Sequence, residues 1–198
     1  MTMNEAPTRS TEQTPSEAPW GGEAGIVTEE MAAGYVKDFC DELRKLGDTV
    51  WKRQYRTPML IVLGKAAELT EGKAFSGITM VATPSGDVTH MALVNRVFAV
   101  AKAPHAPRGP IVLGRSGDTD VAIPEYSISK RHCYFDFEAD GIKVTDCGST
   151  NGTLVGGQRL VPGEPAMLND GTALAIGRFA FSFHTAVGFH AHVKSLLA

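Results

Sequence analysis

The chain has 198 residues, 43% of them hydrophobic, and a formal net charge of −3. This suits one domain with extensions and a real core, and so mild a charge gives no support to nucleic-acid binding or membrane insertion. Cys40, Cys133 and Cys147 are odd in number and scattered, which excludes a disulfide framework or a CxxC pair and makes a reducing, cytoplasmic setting the expectation.

Residues 1–28 are rich in Thr, Ser, Pro, Glu and Gly with few large apolar groups, which predicts a disordered acidic tail. Residues 1–30 hold six Glu and one Arg, leaving the remainder slightly basic. There is no basic stretch followed by an apolar one to mark a signal peptide, and no run near the ~20 apolar residues that span a bilayer.

An amphipathic helix is expected within 29–56, running from about residue 29 to 53. Val36, Phe39, Leu43, Leu46 and Val50 recur at alternating steps of three and four, and Thr28 offers an N-cap. The stripe reads as packing on its own domain; self-association through 29–53 is the alternative, although two heptads are few for a coiled coil. Residues 57–94 form an extension whose fold the sequence leaves open. They hold an apolar run at 59–63, a helical-turn candidate at 65–69, and strands at 78–81 and 88–94 joined by a turn at 84–87.

From residue 97 the reading is all-β, with strands at 97–102, 110–114, 120–123, 132–138, 141–145, 153–155, 158–161, 172–176 and 179–184. Short strands punctuated by Gly, Pro, Asp and Asn point to a mainly β sandwich. A short helix within 186–198 is expected to dock Val193, Leu196 and Leu197 on the body.

Polar groups cluster at the strand ends: Gly114-Arg115, then Ser129 to His132, then Ser149 to Thr153, then the late Asn169-Asp170-Gly171. A β-scaffold presents binding residues on such loops. One Arg, two hydroxyls and one Asn amide without a general base suit holding a phosphate rather than transforming one.

The ordered triple of Gly114-Arg115, Ser129-x-x-His132 and Asn151-Gly152-Thr153 resembles the forkhead-associated (FHA) domain, and identifies 95–185 as a domain of that kind within a bacterial protein with an N-terminal extension. Ser129 lies fourteen positions after Arg115 and Asn151 nineteen positions after His132, spacings that fit the family. The resemblance implies an FHA-type antiparallel β-sandwich with its recognition loops at one end. It also implies a non-enzymatic phosphothreonine-peptide reader acting in signalling or assembly downstream of a Ser/Thr kinase. Phosphothreonine-containing proteins or peptides are the implied partners, and a Ser/Thr kinase is a further one.

By the same resemblance Arg115, Ser129 and Thr150 hold the phosphate, Lys130 supplements them, and Asn151 grips the peptide main chain. A guanidinium fork suits phosphate, and an amide offers both donor and acceptor. Gly114, His132, Gly152 and Thr153 support the site, while Arg131 reads as solvated. His132 is implied to be structural, and Asn151-Gly152 also suits a hairpin turn. Cys147 and Cys133 read as small core residues. No catalytic residue, cofactor or metal site is expected: Cys133, Cys147, His132, His184, His190 and His192 make no zinc spacing, and no P-loop or nucleophile elbow appears.

Two alternatives stand beside this reading. One is a phosphate-independent assembly module that uses the FHA fold and the N-terminal helix. The other is self-inhibition, in which a phosphorylated Thr8, Thr11 or Thr14 of the tail folds back into the site, as in small bacterial FHA regulators that the tail loosely resembles.

Overall fold

A computed structural model describes residues 33–66, 92–104 and 106–198. The expected tail at 1–28 with its Thr28 cap, most of the expected helical turn at 65–69, the expected strand at 78–81, most of that at 88–94, and the expected turn at 84–87 lie outside them. Twelve strands and two helices are present among the described residues: β1 (Ala33–Tyr35), α1 (Val36–Gln54), β2 (Met59–Lys65), β3 (Arg96–Ala99), β4 (Ile111–Gly114), β5 (Val121–Ala122), β6 (Cys133–Glu138), β7 (Gly141–Asp146), β8 (Thr153–Val155), β9 (Gln158–Arg159), β10 (Pro165–Leu168), β11 (Thr172–Ile176), β12 (Phe179–His184) and α2 (Ala186–Ser195).

These strands make the β-sandwich. One sheet has seven strands in the order β1-β3-β2-β12-β11-β8-β9, the other five in the order β10-β7-β6-β4-β5. All pairs are antiparallel except β4 with β5. Phe179, Phe181 and Phe183 alternate along β12 into the space between the sheets, where they meet Leu113, Phe135, Val144 and Leu168 from the opposite sheet.

The outer face of the seven-stranded sheet is also covered. Leu60 and Val62 of β2 face the sandwich core, while Met59 and Ile61 face Phe39, Leu43, Trp51, Phe189 and Val193 of the two helices. A strand buried on both faces reads as a continuous apolar run rather than an alternating one, which is why Met59 to Leu63 gave no periodicity. β2 therefore brings part of the 57–94 segment into the sandwich, between β3 and β12. Residues 92–94 are not extended as expected; they form a helical turn before β3.

Helix α1 differs from expectation in two ways. It begins at Val36 rather than near residue 29, because Ala33–Tyr35 pair with β3. Asp38 then accepts the backbone N–H of Tyr35 at 2.9 Å and closes the first turn. The stripe also breaks at Gly47, which has φ 74°. That left-handed residue resets the helix phase, so Trp51 is fully buried while Val50 is half exposed. The apolar face of α1 is used on its own domain: Phe39 meets Phe189 edge-on at 5.2 Å, and Trp51 stacks on it at 5.7 Å.

α2 docks Val193 and Leu197 on the body as expected and departs only at Leu196. Phe189 and Val193 are buried, whereas Leu196 is half exposed. Its N-terminus is fixed by the Asn169-Asp170-Gly171 turn, where Asp170 accepts the Thr185 N–H at 2.6 Å. No helix among the described residues is long and apolar enough to cross a membrane.

Candidate functional site: a polar groove at one end of the sandwich

Register places the loop ends together. Leu113 pairs with Cys133 and Cys133 with Asp146 in one sheet; Thr153 pairs with Ile176 and Ile176 with Phe179 in the other. The loops after β4, before β6, after β7 and between β11 and β12 thus share one end. Asn169-Asp170-Gly171 lies at the other, beside the Thr172–Phe183 pair. The late Asp-Gly is therefore no part of the polar cluster; it anchors α2.

At the loop end an open groove of about 470 Å³ is lined by Arg115, Ser129, Lys130, Thr150 and Asn151, together with Tyr126, Ser127 and Ile128. Arg115 and Lys130 are exposed, and neither forms an ion pair among the described residues. The Ser129 hydroxyl accepts the Thr150 N–H at 3.0 Å and lies 3.4 Å from the Thr150 hydroxyl. Asn151 donates its amide N–H to the Ser127 carbonyl at 2.8 Å, which leaves its amide oxygen facing no partner among the described residues. The positive field of this end reaches Asp118, whose carboxyl is held below its ordinary value first by Ser116, then by its own backbone N–H, Arg131 and Lys130.

Gly114 lets the first two loops meet. Arg115 donates its backbone N–H to the Ser129 carbonyl at 3.0 Å, and a Cβ on Gly114 would fall 2.0 Å from the Lys130 carbonyl oxygen. Only a residue without a side chain allows β4 to approach that closely.

His132 joins the Ser129 loop to the second sheet. It has no exposed surface. Its Nδ1 accepts the Ser129 N–H at 3.0 Å, and its Nε2 lies 3.1 Å from the Gly152 carbonyl. Since Nδ1 accepts, the proton sits on Nε2 and is donated to Gly152, so the ring is neutral. Burial accordingly lowers its pKa below 6.5, against the opposing pulls of the Gly152 carbonyl and Asp146. Both ring nitrogens are occupied by backbone.

Asp146 organises the Asn151 loop and was not singled out from sequence. Its carboxylate is buried and accepts the N–H groups of Gly148 and Ser149, each at 2.8 Å, and the hydroxyls of Ser149 at 2.7 Å and Thr153 at 2.6 Å. Ser149 relays this by accepting the Gly152 N–H at 3.0 Å. Thr153 lies wholly beneath the loop. Gly152 has φ 80° and packs against the Arg159 guanidinium. Cys147 corrects its expectation: its side chain is exposed, since its neighbour Asp146 takes the inward position, while Cys133 is buried as a core thiol.

A second buried hub, Glu125 with Arg178, also went unread, because neither residue carries a local motif. Glu125 pairs with the Arg178 guanidinium at 2.9 Å and accepts both the N–H and the hydroxyl of Ser127. Among the described residues no group of three or more His, Cys, Asp or Glu is placed to hold a metal ion.

Residues 111–177 match the family model of the FHA domain. The chain carries an FHA domain. It is similar to the glycogen accumulation regulator GarA of Mycolicibacterium smegmatis, 36% identical over 72 residues that cover 36% of this chain and 44% of GarA. It is also similar to the mouse angiogenic factor with G patch and FHA domains 1, 36% identical over 83 residues, 38% of this chain and 12% of that protein. The chain thus spans less than half the length of these curated relatives. Among solved structures, the FHA domain of a Chlamydia trachomatis protein aligns at a TM-score of 0.42 and 18% identity, covering 65% of this chain and 96% of that one. Mycobacterium tuberculosis EmbR, solved with a low-affinity phosphopeptide, aligns at a TM-score of 0.35 and 25% identity, over 38% of this chain and 20% of that one.

Proposed function

We propose that this FHA domain is a non-enzymatic reader of phosphothreonine-containing peptides, acting downstream of a Ser/Thr kinase in the cytoplasm. The observation that carries the reading is the groove itself. Two cations without ion-pair partners among the described residues, the Ser129 and Thr150 hydroxyls and the Asn151 amide line one opening. In this reading Arg115, Ser129 and Thr150 hold the phosphate and Lys130 supplements them. Asn151, pinned to Ser127, offers its amide oxygen to the peptide main chain. Gly114, His132, Gly152 and Thr153 set the loops. A dianionic phosphate makes charge-assisted bonds with such donors, and its second pKa near ~6 predicts weaker binding as pH falls below that value.

The same geometry argues against catalysis, because His132 is buried with both nitrogens engaged and is no base for Ser129. The three thiols are free, which favours a reducing compartment. Assembly through α1 finds less support, since the apolar face of that helix is used internally.

Titration of a phosphothreonine peptide tests the reading. A hydrogen bond to a charged group contributes about 1.5–3 kcal/mol, so Arg115→Ala should weaken binding roughly ten- to hundredfold. Equal affinity of variant and wild type would remove the proposal.

A further inference from the structure

Tyr126 has no part in the phosphate grip, yet it lines the groove beside Arg115, Ser129 and Thr150. It is 74% exposed, while Glu125, Ser127 and Ile128 around it are all buried. The cause is the hub beneath it. The Glu125 carboxylate accepts the Ser127 N–H at 2.8 Å and pairs with Arg178 at 2.9 Å, and the Ser127 hydroxyl accepts the Arg178 N–H at 2.9 Å. The Ile128 N–H closes a turn on the Glu125 carbonyl at 3.1 Å. Gly177 packs so closely that a Cβ there would sit 2.6 Å from the Ser127 hydroxyl. With the backbone fixed on both sides, the Tyr126 side chain projects outward into the opening.

A large ring held in water on a rigid turn is a poor use of apolar area unless something covers it. Tyrosine in that setting is a preferred recognition residue, because few rotatable bonds are lost on contact. The nearby Arg115 and Lys130 disfavour a cationic side chain in the ligand.

We propose that Tyr126 is a specificity-determining residue: its ring packs on an apolar side chain flanking the phosphothreonine, and the buried Glu125–Arg178 pair positions it. This rests on the phosphothreonine reading above. Tyr126 touches the ligand, whereas Glu125 and Arg178 act through it.

The test titrates the full chain with phosphothreonine peptides carrying Leu or Lys at each flanking position in turn. Wild type should prefer Leu at one position by about three- to tenfold. Tyr126→Ala should lose that preference while still discriminating phosphothreonine from threonine, and Tyr126→Phe should retain both. Because Tyr126 is exposed, these variants keep the fold. A wild type without preference at any position, or a preference that survives in Tyr126→Ala, overturns the proposal. Wild type binding no phosphopeptide at all would instead overturn the underlying phosphothreonine reading.

Discussion

Replacing Asp146 by Ala is expected to cost about 3–5 kcal/mol of folding stability. The carboxylate is 2% exposed and accepts from two backbone N–H groups and two hydroxyls. Each hydrogen bond to a charged group contributes about 1.5–3 kcal/mol net, and a buried donor left unpaired costs about 1–3 kcal/mol. Not all four count in full. Gly148 is exposed and its N–H regains water, whereas Thr153 has no exposure and its hydroxyl stays stranded. In a domain of this size each kcal/mol moves Tm by roughly 2–4 °C, so the drop should be on the order of 10 °C. The effect also depends on pH. Burial raises the carboxyl pKa, but the bonds from Thr153, Ser149 and Gly148 outweigh it and leave it below 3.8. A depressed carboxyl stabilises fully above its unfolded value and loses that contribution as pH falls through the folded one. Urea unfolding followed by circular dichroism at pH 7 and at acid pH reads both effects. A variant within about 0.5 kcal/mol of wild type at pH 7, or a gap that does not shrink below pH 3.8, would refute the reasoning.

His132 gives a second pH signature. Its folded pKa lies below 6.5, so the neutral ring stabilises fully above 6.5 and the contribution is lost as pH falls through the folded pKa. His132→Gln should therefore flatten the stability profile below pH 6.5, and the same dependence of stability on pH in both proteins would contradict a ring held neutral by burial. Gly114→Ala places a methyl 2.0 Å from a backbone oxygen, a clash that no side-chain rotation relieves. A loss of about 1–3 kcal/mol is expected, with weaker phosphopeptide binding although every groove side chain remains; unchanged Tm and affinity would show that the two loops need no such closeness.

The order of the strands was largely legible because Gly, Pro, Asp and Asn punctuate them, and the short apolar runs between have no room for helices. Pro165–Leu168 escaped because Pro opens it, and an edge strand tolerates a residue that cannot donate. The phase of α1 escaped because periodicity assumes an unbroken helix, while Gly47 interrupts it at a φ that the sequence does not display. At the groove, residues with a local signature were readable: Arg115 after Gly114, Ser129 before His132, Asn151 before Gly152. The long-range partners were not. Glu125 and Arg178 lie far apart in the chain and meet only when the sheets stack, and the burial of Asp146 depends on which face of β7 turns inward.

β2 marks a difference between two units that are easily taken for one. The family match begins at residue 111, yet β2 lies between β3 and β12 and is buried on both faces. A protein cut to the matched residues would lose β12 along with β2, open a sheet edge along Thr172–Ile176, and strip the helices from its back. The family match covers residues 111–177, whereas the buried clusters span both sheets and both helices. Transplanting the loop end alone would carry the groove without the helices that cover the outer face of the seven-stranded sheet.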